Sequence, residues 1–163
     1  MRDYKELEVP ANCTDEQLKL IMQYATDGRK FEIGLFWQRS LFFWGFIVVA
    51  FVAYANLHGA NEETTRLIIA CFGLISSVAW VLQNRGSKYW QDSWEKKIEV
   101  VEKRVTGTNL FQNKEPLKPG GWWGPARYSV SRLAIALSYF TVLVWICLLL
   151  AAFPASALPS WLT

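Results

Sequence analysis

The side chains able to do chemistry are few and scattered. His58 is the only histidine, and only Glu62 and Glu63 stand near it in sequence. A histidine general base needs a carboxylate or a nucleophile held beside it, so a solvated loop residue is the simpler reading. Cys13, Cys71 and Cys147 form no C-x-x-C pair and no Cys/His cluster. Neither a disulfide framework nor a zinc site is indicated, and the thiols read as small apolar fillers. Neither G-x-x-x-x-G-K-[ST] nor G-x-G-x-x-G occurs, and Gly120-Gly121 follows no predicted strand, so no phosphate cradle is expected. An R-x4-H ribonuclease pattern would need an arginine where Ala53 stands. The expectation is a protein with no catalytic residue, no metal and no cofactor.

What the chain has instead is apolar length. Residues 41–57 carry no charge and span roughly 26 Å as a helix, close to the ~30 Å of a bilayer core. Phe42, Phe43 and Trp44 crowd one end and Tyr54 marks the other, as at the two interfaces of a membrane helix. Residues 67–83 and 133–153 give two more such stretches. Aromatic residues make up 15% of the chain, with nine tryptophans, and charged residues 19%, below the ~25% of ordinary soluble domains. The predicted fold class is an all-α integral membrane protein with three transmembrane helices and a cytoplasmic amphipathic helical layer. Residues 1–40 form a cytoplasmic helix and interfacial segment, 58–66 a short outer loop, 84–132 a cytoplasmic helix and loop, and 154–163 an outer tail. The acidic N-terminus has no apolar h-region, so the first apolar helix is expected to direct insertion and stay in the product.

Local signals fill in the elements. Thr14-Asp15-Glu16-Gln17 fits a capping box. A helix from about 15 to 26 follows, with Leu18, Ile21, Met22 and Ala25 on one face, and Asp27-Gly28 breaks or bends it. Gly73 and Ser77 form a small-xxx-small pair that permits close helix contact. Asn84-Arg85-Gly86-Ser87 is read as the end of the second span. An amphipathic helix over 88–105 then presents Trp90, Trp94, Ile98, Val101 and Val105 as a packing or oligomer face. Thr106-Gly107 supplies its stop. Trp122 and Trp123, in a Gly/Pro-rich turn, return the chain to the interface before the third span.

Basic residues set the orientation. Sixteen lie in 1–40 and 84–132, against Arg66 alone in the outer segments. The positive-inside bias puts the N-terminus in the cytoplasm and the C-terminus outside. Arg29, Lys30, Trp37, Arg39, Arg85, Lys88, Trp122, Trp123, Arg127 and Arg132 are the expected interfacial lipid contacts. Nucleic acid is not an expected partner, because Glu95, Glu99, Glu102 and Glu115 interleave with the lysines. The spans hold no Asp, Glu, Lys, Arg or His between their ends, which argues against coupled transport. A passive pore with an apolar gate is still open, with Phe46, Phe51 and Leu143 as candidate lining residues.

The runs Arg29-Lys30-Phe31-Glu32-Ile33, Phe36-Trp37-Gln38-Arg39-Ser40 and Phe43-Trp44-Gly45-Phe46 resemble the RipA family of small octameric bacterial inner-membrane proteins. So do Gly86-Ser87-Lys88-Tyr89-Trp90-Gln91 and Trp94-Glu95, and the likeness covers about residues 26–111. It implies a homo-oligomer, an octamer, in the bacterial cytoplasmic membrane, linked to stress adaptation during host infection, with no established catalytic site. A more remote likeness in size and layout is to membrane accessory proteins of RNA-targeting CRISPR systems, some of which assemble ring-like pores.

The leading expectation is a non-enzymatic homo-oligomeric ring acting as a pore or membrane-perturbing module in stress or defence. The rivals are a membrane scaffold anchoring a cytoplasmic protein partner and an enzyme acting on lipid headgroups. The charge count makes a direct prediction. A periplasm-dependent reporter fused after Thr163 should be active and one fused after Val105 silent; the opposite pattern would refute the orientation.

Overall fold

A computed structural model of the chain describes residues 12–57, 59, 62–107 and 129–153. Three helices make up the structure: α1 (Asp15–Asn56), α2 (Glu63–Thr106) and α3 (Val130–Ala152). No strand occurs among the described residues, and all three helices are long and apolar enough to cross a membrane. Trp122, Trp123 and Arg127 lie outside the described residues.

The first helix begins where its cap is written. The Thr14 backbone N–H donates to Gln17 Oε1 at 3.0 Å, and the Gln17 N–H donates to Thr14 Oγ1 at 3.3 Å. That reciprocal pair satisfies two donors the helix start would leave open. The helix then runs 42 residues without interruption, through Asp27-Gly28. The second runs 44 residues, through Asn84-Arg85-Gly86-Ser87, where the second span was expected to end. Between α1 and α2, the Gly59 N–H donates to Glu62 Oε2 at 2.9 Å, and Arg66 donates to the Leu57 carbonyl.

The chain divides into two compact units. The charged unit combines Met1–Phe36 with Gly86–Tyr128. Within it, Leu18 packs on Val101, with Cys13, Ile21, Met22 and Val105 around them. Gly28 meets Trp94 and Arg29 pairs with Glu95, while Glu32 meets Ser87. Rising numbers on α1 meet falling numbers on α2, so the pair is antiparallel. The apolar unit combines Trp37–Arg85 with Ser129–Thr163. Here Ser40 meets Asn84, Trp44 meets Trp80 and Phe46 meets Phe72, again antiparallel. On α3, Trp145 meets Phe51 and Leu148 meets Tyr54, so α3 runs parallel to α1.

Within each unit α2 buries a regular series of residues. Ala70, Gly73, Ser77, Trp80, Asn84, Ser87, Gln91, Ile98 and Val101 are all buried, with Trp94 and Val105 half-buried in the same series. The spacing alternates threes and fours, the count of a helix face packed on a neighbouring helix within each unit. Trp90 is one residue off it and 44% exposed. One residue turns the helix by about 100°, so the packing face inside the chain is carried by Gln91 and Trp94, not by Trp90.

Two glycines on these helices act as seats for indoles. A Cβ on Gly28 would lie 2.9 Å from Trp94 Cζ2, and a Cβ on Gly73 would overlap the Trp145 ring. Trp145 is fully buried and also touches Phe51, stacked at 4.4 Å between ring centroids, and Tyr54. Gly73→Ala should therefore lower stability in detergent by about 1–3 kcal/mol, the usual cost of overpacking. Gly86→Ala, with open space around it, should be neutral or stabilising. Equal melting temperatures for the two variants would show that the seat is not filled as described.

Candidate functional site

Polar side chains of the apolar unit gather in its interior. Ser40, Ser76, Ser77, Asn84, Ser138 and Thr141 are buried. Several hydroxyls bond within their own helix: Ser77 Oγ to the Gly73 carbonyl at 2.8 Å, Ser138 Oγ to Ile135 at 2.7 Å and Thr141 Oγ1 to Leu137 at 2.9 Å. Asn84 bonds between helices. Ser40 Oγ on α1 donates to Asn84 Oδ1 at 3.1 Å, and Asn84 Nδ2 reaches the Ala134 carbonyl on α3 at 3.5 Å. Trp80 Nε1 donates to Ser40 Oγ at 3.3 Å and extends the link. In an apolar surround an unpaired amide is costly, so each partner fixes the others. Further along, Tyr54 OH donates to the Leu148 carbonyl at 2.9 Å and ties α1 to α3 again.

The sequence reading missed Asn84 because Asn-Arg-Gly-Ser has the composition of a turn. The signal available was position: Asn84 falls on the three-four count through Gly73, Ser77 and Trp80. Gly73 and Ser77, expected at a close helix contact, lie on that buried face, and Gly73 receives Trp145.

The residues expected to line a pore separate. Phe46 is 40% exposed and edges an open apolar groove with Leu41, Phe42, Gly45, Val49 and Phe72. Leu143 is exposed on α3. Phe51 is half-buried and stacked on Trp145, within the packing of the chain itself.

The interfacial basic residues also differ among themselves. Arg29 is bound by Glu95, with Nη2 to Oε1 at 2.9 Å and Nε to the same oxygen at 3.1 Å. Lys88 pairs with Asp92 at 2.6 Å, one turn on. Arg85 Nη1 lies 3.5 Å from Tyr139 OH. Lys30, Trp37, Arg39 and Arg132 are exposed. In the charged unit, Lys97 Nζ sits 4.0 Å over the Trp94 ring, which also packs on Gly28. Among the described residues, no cluster of His, Cys, Asp and Glu could hold a metal. The three cysteines are free.

If the Ser40–Asn84 bond joins α1 to α2, the two residues must be energetically coupled. Ser40→Ala and Asn84→Ala should each cost about 1 kcal/mol, the scale of interhelical hydrogen bonds in membranes. The double variant should fall short of the sum by at least ~0.5 kcal/mol. Additive losses in a detergent unfolding cycle would break the link.

No curated protein and no solved structure matches the chain. A family model does, over residues 16–154, which takes in nearly all of the three described helices. With its three apolar helices, the chain is a multi-pass membrane protein and belongs to the octameric membrane protein family.

Proposed function

We propose that the chain is a non-enzymatic, self-assembling protein of the bacterial cytoplasmic membrane. In this reading the N-terminus is cytoplasmic and the C-terminus periplasmic. The assembled ring, an octamer as the family's name describes, acts on the bilayer itself as a pore closed at rest or a membrane-perturbing module in stress adaptation or defence. The narrower likeness to RipA belongs to the same proposal.

One observation carries the reading. The serine and threonine hydroxyls of the spans, together with Asn84, turn inward, while Phe46, Val48, Val52, Ile75 and Leu143 are exposed. These outward apolar faces call for lipid or other copies as cover. A passage formed between copies by such faces would be apolar, and an apolar constriction closes by dewetting.

A second reading rests on a different feature. Tyr89 and Trp90 are both exposed in the charged unit and meet edge-on at 5.7 Å. An exposed aromatic pair on a charged helix is the kind of patch a protein partner covers. That favours a scaffold that presents the charged unit to a cytoplasmic protein.

Liposome leakage separates the two. Phe46→Ser or Leu143→Ser should raise ion or dye leakage above wild type with the assembly intact. Phe51→Ser should instead lower stability, because it removes the ring stacked on Trp145. Tight liposomes for both outward variants, with assembly preserved, would sink the pore and leave the scaffold.

A further inference from the structure

Besides its buried face, α1 carries a second stripe. Leu20, Tyr24, Phe31, Gly34, Leu41 and Gly45 are all exposed, and Val48 and Val52 extend the series. Their spacings are threes, fours and sevens, the count of a coiled-coil seam. Asp27 and Gln38, also exposed, fill the two intervening positions. The buried residues Leu18, Ala25, Phe36, Ile47 and Ala50 count along a different line. Leu18 and Leu20 differ by about 200° around the helix, so the stripe faces away from the chain's own core.

Lipid alone does not account for this stripe. Leu20 precedes Leu41 by 21 residues, or roughly 31 Å of helix. Leu20, Tyr24 and Phe31 are 50%, 68% and 67% exposed, and they belong to the charged unit, where water would otherwise meet them. The glycines are a second oddity. Each glycine inside a helix costs up to ~1 kcal/mol relative to alanine. Gly28 and Gly73 earn their places by seating indoles, yet Gly34 and Gly45 have nothing within 4 Å of a built Cβ. Gly45 opens onto the groove edged by Phe42, Phe46 and Phe72. A glycine on an outward face lets another helix approach to backbone contact.

We infer that the outer stripe of α1 is the subunit interface, covered by a second copy of this chain with Gly34 and Gly45 as the points of closest approach. The inference rests on the self-assembly reading above. It adds which helix, and which face of it, makes the contact. A second copy is the occupant because the family is octameric by description and because α1 leaves apolar residues exposed in each of the two units, Leu20, Tyr24 and Phe31 in one and Leu41, Val48 and Val52 in the other. A ring needs a surface on each copy that is complementary to its neighbour. The exposed apolar residues and open glycines of α1 supply one such surface.

The test is the mass of the purified protein in mild detergent and in nanodiscs, with helical circular dichroism as the check on folding. Gly34→Leu and Gly45→Leu place side chains where the chain itself leaves room, so helicity should hold while the large species is lost. Gly45→Ala, a gentler change, should give partial loss. On the charged side, Leu20→Glu with Phe31→Glu should dissociate the assembly as fully. An intact assembly in both glycine-to-leucine variants, or in the double glutamate variant, overturns the inference while leaving self-assembly standing. A monomeric wild type overturns both.

Discussion

The packing of Trp145 against Gly73 is the contact on which the apolar unit depends. A fully buried indole supplies a large apolar area, and it can reach α2 only where there is no Cβ. Once seated, it stacks on Phe51 and meets Tyr54 of α1 edge-on, and Ala50 and Ala70 close the cluster. All three helices therefore meet at one ring. Its Nε1 has no hydrogen-bond partner in the structure, an exception to the pairing of buried donors. The ring is held there by shape and apolar contact.

The bilayer explains why the remaining polar groups behave as they do. Backbone groups are satisfied inside the helices, as a span requires, and serine and threonine hydroxyls fold back on carbonyls of the preceding turn. Asn84 cannot be satisfied that way alone and reaches two other helices. The charged unit uses the same device as the apolar one, an indole on a glycine, with Trp94 on Gly28. There a lysine ammonium also lies over the ring, a contact suited to the edge of water.

The sequence conveyed the class of fold and much less of its joints. Three spans, the capping box at Thr14 and the Leu18–Ala25 face could be read because each depends on residues within a few turns. Asp27-Gly28 was expected to break or bend its helix, and α1 runs through it unbroken; Asn84-Arg85-Gly86-Ser87 was read as the end of a span, and α2 continues through it. Locally these are breakers, but their roles are tertiary: Gly28 is a seat for Trp94, and Asn84 and Ser87 bond to α1. The buried series on α2 is polar in its middle, at Asn84, Ser87 and Gln91. A count of apolar residues therefore does not show it there. The outward stripe of α1 lay hidden for a related reason. In a span that is apolar on every side, no periodicity of hydrophobicity marks which face is buried.

The seat at Gly73 also bears on the order in which the chain can fold during synthesis. The first two helices are joined by a short link and share the Ser40–Trp80–Asn84 contacts, so they can form a hairpin as soon as α2 has left the ribosome. The third helix follows after 23 intervening residues. Until it arrives, the notch over Gly73 is empty and the amide of Asn84 has only its α1 partner. A nascent chain halted before Trp145 would hold a nearly complete pair of helices with one unfilled notch facing the bilayer. Arrival of the indole is thus the step that commits the three helices to one another.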